Sequence, residues 1–228
     1  MKGLILGAGS GIGARLLHDL QLIDNRFFGV EWFSPSWHDC DVSNGAELSQ
    51  YVRNNGPFKF IVYCPGTNAL MPIGGINRSD LAYHFEVNVS GFILLMDAHE
   101  KHFPGAEGSV VAISSDAGRI PMRTSIAYCS SKAALNMAVR VAARELAPRW
   151  QINAVAPGII DDTEMTRYID SAVPAVRGWT HEKAKAYEQS MIPIGRRGTP
   201  AEISHVMRDL LKSPGYLTGS IVEISGGK

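Results

Sequence analysis

The chain has 228 residues, in which 22 basic residues balance 22 acidic ones and 45% of positions are hydrophobic. That length suits one domain, residues 1–228, with a substantial core, and a balanced charge without a basic run leaves no electrostatic footprint for nucleic acid. The three cysteines, Cys40, Cys64 and Cys129, lack both the spacing of a zinc site and the density of a disulfide scaffold, so a reducing, cytoplasmic setting is expected.

In chain order, a strand is expected near 2–7, too short and too quickly met by glycine to be a signal core or a membrane span, so no membrane partner is expected. A glycine loop, Gly7-Ala8-Gly9-Ser10-Gly11-Ile12-Gly13, leads from it into a helix near 11–23. Further strands are predicted near 27–32, 59–63, 109–114, 151–155 and 220–224, and helices near 43–54, 78–101, 126–147 and 200–212. Short Val, Ile and Phe runs alternating with helical periodicity predict an α/β fold: a single doubly wound Rossmann-type domain with a parallel sheet and helices on both faces. Residues 158–195 mix Asp, Pro and Gly with apolar Met165, Tyr168, Trp179 and Tyr187. A segment of that length inside a compact domain suggests a substrate lid, with a pair of surface helices as the alternative. His99 and His102 have no third ligand nearby in sequence, so no metal is expected and a solvated helix face accounts for them.

The glycine loop sits where a strand turns into a helix, which lets the backbone approach a pyrophosphate held by the helix N-terminal amides and dipole. Tight turns also need glycine for steric reasons alone. Glu31 follows Gly13 by 18 residues, near the distance at which a carboxylate accepts hydrogen bonds from an adenosine ribose, and no arginine stands beside it to neutralise a 2′-phosphate. NAD is therefore expected, with NADP as the alternative, although Glu31 could equally be a solvated strand end. Tyr128 and Lys132, four apart at the start of an alanine-rich helix, project from one helix face. Ser115 closes a strand thirteen residues earlier, and Asn88 lies in a helical segment upstream.

These residues resemble the short-chain dehydrogenase/reductase family over essentially the whole chain. The matches are the Gly7-to-Gly13 loop, Asp41-Val42, Asn88-Val89-Ser90-Gly91, Ser114-Ser115, Tyr128-Cys129-Ser130-Ser131-Lys132, Pro157-Gly158, the run Gly195 to Glu202, and the ending Leu217 to Gly227. The resemblance implies a catalytic set of Asn88, Ser115, Tyr128 and Lys132. Tyr128 would be the acid/base and Lys132 the positive charge that stabilises its anion and bonds the nicotinamide ribose. Ser115 would steady the substrate oxygen, and Asn88 would hold a water joining Lys132 to solvent. It also implies cofactor contacts at Gly7, Gly9, Ser10, Gly11, Ile12, Gly13, Glu31, Asp41, Val42, Gly66, Tyr128, Lys132, Pro157, Gly158, Ile160 and Thr163. Structural roles exist for several of these: Ser115 could cap a strand end, Asn88 could satisfy helix backbone, and Asp41 could cap the next helix.

Two departures from the family pattern stand out. Tyr63-Cys64-Pro65-Gly66 replaces the usual Asn-Asn-Ala-Gly, and Leu6 precedes the glycine loop where threonine is common. Pro65 has no N–H, so the backbone bonding there must differ. The implied function is NAD(P)-dependent interconversion of a small secondary alcohol and its ketone. A catalytically inactive dinucleotide-binding regulator, or an epimerase or dehydratase of the same family, are the alternatives. Homotetramer or dimer formation through the helices near 78–101 and 126–147 is also implied.

Overall fold

The computed structural model describes residues 1–22, 27, 29–213 and 215–228. Strand β1 (Lys2–Leu6) leads through the glycine loop to α1 (Gly11–Leu22), then β2 (Glu31–Phe33), α2 (Gly45–Asn55) and β3 (Phe60–Tyr63). Next come α3 (Arg78–Phe85), α4 (Gly91–His102), β4 (Gly108–Ile113), α5 (Ile126–Leu146) and β5 (Trp150–Pro157). Helices α6 (Glu164–Arg177), α7 (His181–Ser190) and α8 (Pro200–Leu211) precede the last strand, β6 (Ile221–Ile224).

The strands form one sheet in the order β2-β1-β3-β4-β5-β6, with every pairing parallel. From β1 the chain crosses to β2 on one side and returns to β3 on the other, so the order reverses beside β1 and opens a crevice beyond the carboxyl ends of the strands. Strands β3 and β4 are buried at every position, as apolar strands covered on both faces must be. On one face Leu48 and Val52 of α2, Phe92 and Leu95 of α4, and Leu135 and Val139 of α5 join the sheet in one apolar cluster. On the other, Leu16 and Leu20 of α1 meet Ile203 and Met207 of α8. The buried Asp19 ties those two helices together, accepting hydrogen bonds from Ser204 Oγ at 2.7 Å and Arg15 Nε at 2.8 Å.

The expected fold class is the one found, and three local expectations are corrected. The strand predicted at 27–32 begins only at Glu31: Val30 N–H donates to the Phe27 carbonyl, closing a turn, and Phe27 is buried against Trp32 and Phe60 without pairing in the sheet. Phe28, and residue 23 at the end of the helix predicted at 11–23, lie outside the described residues. The helix predicted at 78–101 exists as α3 and α4 joined by a π-helical turn at Glu86–Ser90, in which the Gly91 N–H reaches back to the Glu86 carbonyl. His99 is not solvated: it is 1% exposed, accepts the Phe58 N–H at 3.0 Å, and burial pushes its imidazole down to about 4, so it is a neutral core histidine.

Among the described residues no helix is long and apolar enough to cross a membrane, and no group of three His, Cys, Asp or Glu residues could hold a metal ion.

Candidate active site

The crevice has a volume of about 1260 Å³. That exceeds the 300–1,000 Å³ typical of a pocket for one drug-sized molecule and leaves room for a dinucleotide with a second ligand. Its floor is the glycine loop. Gly7 (φ +77°) and Gly11 (φ +53°) occupy backbone regions that favour glycine, and a Cβ on Gly7 would stand 2.8 Å from the Pro65 nitrogen. A Cβ on Gly13 would lie 2.1 Å from the Gly7 carbonyl oxygen, so α1 can pack this close to β1 only with glycine there. Above Gly9 nothing approaches within 4 Å, which leaves its backbone open to a ligand from the crevice. These glycines and the free amino end of α1 form a cradle suited to a pyrophosphate.

Ser10, Ile12, Asp41, Val42, Gly66, Pro157, Gly158, Ile160 and Thr163 all line the same crevice, as their assignment requires. Asp41 does not cap a helix: its Oδ1 accepts from the Ser43 backbone and hydroxyl at 2.9 and 2.8 Å, and Asn44 caps α2. Thr163 caps α6 and puts its methyl group 3.5 Å from where a Gly11 Cβ would be. Glu31 is not brought to this place. It is the first residue of β2, in register with Lys2 at the amino end of β1, and therefore lies at the opposite edge of the sheet from the crevice. The strand predicted at 27–32 put Glu31 near its carboxyl end, whereas β2 begins at Glu31, and the preference for NAD that rested on the Glu31 carboxylate loses its basis. Pro35, Ser36 and Trp37 occupy the crevice wall beyond β2 instead, a role unreadable without the register of β2.

Tyr128 and Lys132 emerge from the first turns of α5, both buried, with the ammonium 5.8 Å from the centre of the phenol ring. Lys132 Nζ donates to the Ile113 carbonyl at 2.9 Å, the last residue of β4. Burial pulls this amine down to about 8, with the Cys64 thiol acting the other way. Tyr128 is pushed up to about 12 by burial, opposed by a hydrogen bond with Ser115 and reinforced by the negative charge of Asp116 and by Cys129. Ser115 thus faces the phenol. It also caps the short turn Asp116–Gly118, just beyond the end of β4, by accepting the Ala117 N–H at 3.2 Å. Asp116 is buried beside it, 3.0 Å from Lys228 Nζ.

Asn88 sits in the π turn, fully buried, and its amide is a clamp on Thr67: Oδ1 accepts the Thr67 N–H at 2.8 Å and Nδ2 donates to the Thr67 carbonyl at 3.0 Å and to Ser131 Oγ at 2.9 Å. This fixes the segment after Pro65. A Cβ on Gly66 would lie 3.4 Å from Lys132 Nζ, so the backbone there passes directly over the ammonium. Tyr63 supports the π turn from below, its hydroxyl donating to the Val87 carbonyl at 2.5 Å.

The interval 158–195 holds α6 and α7, the pair of surface helices foreseen as the alternative, and both line the crevice. Thr163 and Thr180 as helix caps, Gly178 in the left-handed conformation, and the apolar spacing Met165, Ile169, Val173 carried the signal that was missed. Arg197 binds both helices, with Nη2 2.6 Å from Asp170 Oδ1 on α6 and Nε 2.5 Å from Glu188 Oε1 on α7.

A family model described as enoyl-(acyl carrier protein) reductase matches residues 30–228. An uncharacterised oxidoreductase of Methylorubrum extorquens is 34% identical over 191 residues, 83% of this chain and 69% of that protein. The D-erythrulose reductase of Gallus gallus is 26% identical over 250 aligned positions, covering 99% of this chain and 94% of the relative. A short chain dehydrogenase family protein from Francisella tularensis superposes with a TM-score of 0.82 at 22% identity, covering 99% of this chain and 97% of the other.

With Glu31 outside the crevice, Glu31→Gln is expected to leave the dissociation constants of NAD and NADP within about twofold of their original values, the range of an ordinary surface substitution. Gly13→Ala should weaken both by more than about tenfold through its clash with Gly7. Titration calorimetry of the two variants measures both effects, and a selective loss of NAD in the first would restore Glu31 to the site.

Proposed function

The chain belongs to the short-chain dehydrogenase/reductase family of oxidoreductases, and on that premise we propose that it interconverts a small secondary alcohol and its ketone, with Tyr128 as acid/base and NAD or NADP as partner. The observation that carries this is the convergence of the Tyr128 phenol, the Ser115 hydroxyl and the buried Lys132 ammonium on one crevice whose floor is the glycine cradle. A regulator that only binds dinucleotide has no use for a phenol buried beside that ammonium and facing a serine hydroxyl, whereas acid/base chemistry does.

When bound, the dinucleotide supplies the hydride acceptor or donor. The protein's own groups manage the proton. In reduction, the Tyr128 phenol gives its proton to the carbonyl oxygen as negative charge builds there; in oxidation, the phenolate takes the proton of the alcohol. The resting phenol, held near 12, is protonated at neutral pH and is ready in the form that reduction uses. Lys132, with its amine near 8, is still mainly an ammonium at neutral pH and stabilises the phenolate once formed. Ser115 donates a hydrogen bond to the substrate oxygen. Asn88 keeps the Gly66–Thr67 backbone in place over the ammonium. Helices α6 and α7, tied together through Arg197, act as the substrate lid.

Assembly uses the outer faces of α4 and α5. Ile126, Met137 and Val141 form one stripe along α5, and Ile93 and Leu94 lie on the neighbouring α4, all five more than a third exposed. An apolar stripe of this kind is the mark of a buried interface between copies.

Three outcomes test these statements. Tyr128→Phe is expected to cut kcat by at least about a thousandfold while leaving dinucleotide affinity nearly intact, since only the transferable proton is removed; appreciable residual turnover would refute the acid/base assignment. Asp116→Asn removes a negative charge that raises the phenol, so the alkaline-going limb of alcohol oxidation should move to lower pH by about one unit. Lys228→Met leaves Asp116 uncompensated and should move the same limb to higher pH; shifts in one common direction would sink the assignment. In sedimentation velocity the protein should run as a dimer or tetramer that Met137→Glu dissociates, and a monomeric wild type would remove the interface.

A further inference from the structure

Helix α6 crosses the crevice from end to end. Its amino end meets the glycine loop: Thr163 packs on Gly11, and Ser10 Oγ lies 3.4 Å from Glu164 Oε2. At 1.5 Å per residue its last residue, Arg177, lies ~20 Å further along. There Arg177 Nη2 donates to the Arg123 carbonyl at 2.8 Å, and Arg123 is in the loop that leads into Tyr128. The guanidinium also lies 5.2 Å from the Trp179 ring, and its Nε is buried without a hydrogen-bond partner. Both arginines line the crevice.

Neighbouring carboxylates do not neutralise them. Asp170 of α6 and Glu188 of α7 are drawn to Arg197, Asp116 to Lys228, and Glu223 to Arg119. Among the described residues neither Arg123 nor Arg177 makes an ion pair, and their charges repel each other. Arg123 is exposed at the crevice rim and Arg177 half-buried, and a guanidinium with a buried, unused donor close to a second positive charge is costly unless an anion joins it. That anion is not the dinucleotide's pyrophosphate, whose cradle is at the other end of α6.

Resting on the oxidoreductase assignment above, we propose that Arg177 and Arg123 clamp an anionic group of the substrate. The substrate class is then a small alcohol or ketone that carries a carboxylate or a phosphate a short distance from the reacting carbon. Arg177, on the lid, binds the anion in a planar fork and so couples recognition of its charge to closure of α6 over Tyr128.

The test compares charged and neutral partners of one skeleton as substrates for reduction, with both dinucleotides: acetoacetate against methyl acetoacetate, and dihydroxyacetone phosphate against dihydroxyacetone. The wild type should favour the charged member of at least one pair by about 10- to 100-fold in kcat/KM, the range of a charged hydrogen bond. Which pair responds identifies carboxylate or phosphate. Arg177→Met should bring that ratio near one, mainly through KM, while Arg177→Lys keeps part of it. A second readout needs no turnover: titration with acetoacetate and with inorganic phosphate should alter tryptophan fluorescence in the wild type, through Trp179, and not in Arg177→Met. Turnover with no preference for charge, and no fluorescence change that depends on Arg177, would overturn the clamp and leave the oxidoreductase intact. A fluorescence response that depends on Arg177, in a protein that reduces none of the four, would keep the anion site and overturn its assignment to the substrate of ketone reduction.

Discussion

The structure is organised around a buried ammonium. An unpaired lysine in a protein interior is expensive, and Lys132 is tolerated because the Ile113 carbonyl at the end of β4 accepts one of its protons, while the polar backbone at Gly66 passes over it. That single requirement sets the relation between α5 and the carboxyl ends of β3 and β4. A Cβ at Gly66 would rest 3.4 Å from the ammonium, so the backbone there lies within van der Waals reach of the charge. The phenol one turn earlier on α5 shares the same desolvated space, so the two groups are driven in opposite directions: the amine loses affinity for its proton and the phenol gains it. Both shifts disfavour charge, so at neutral pH the phenol keeps its proton beside an ammonium, and the phenolate gains from that ammonium only once it forms.

The departures from the family pattern become intelligible in this frame. Tyr63 occupies a place where a small amide side chain is usual, and it spends its hydroxyl on the Val87 carbonyl in the π turn. A Cβ at Gly91 would fall 2.3 Å from that hydroxyl, so the tyrosine and the glycine at 91 fit only each other. The turn they support carries Asn88, whose amide satisfies both the N–H and the carbonyl of Thr67. Pro65 gives up a donor two residues before, and the clamp at Thr67 keeps the segment ordered without it.

The sheet and its long helices were legible because strands covered on both faces are apolar throughout and because α1, α5 and α8 carry clear caps or a continuous periodicity. The pairing of Tyr128 and Lys132 on one face of α5 was legible through their spacing, whereas Asn88 and Ser115 joined them only through the family resemblance. Glu31 was misplaced for a reason internal to the pattern: Phe27 and Val30 look like strand residues, yet Phe27 is buried through a turn, and burial alone does not reveal pairing. Arg177 went unnoticed because its neighbour, Arg123, is 54 residues away, and a charge beside another distant charge leaves no trace in local periodicity. Helices α6 and α7 were masked by the Pro and Gly that punctuate them, although Pro174 is accommodated inside α6 and Gly178 ends it.

Arg197 holds Asp170, Glu188 and Asp161 with one guanidinium, from a loop that returns to the sheet through the bridge between Gly198 and Ile160. Because α6 and α7 pack on each other and are fastened at this one point, they form an insert whose inner surface can diverge while its attachment stays the same. In evolutionary terms the proposed function would keep the chemistry on α5 and the sheet and leave the choice of molecule to an exchangeable module.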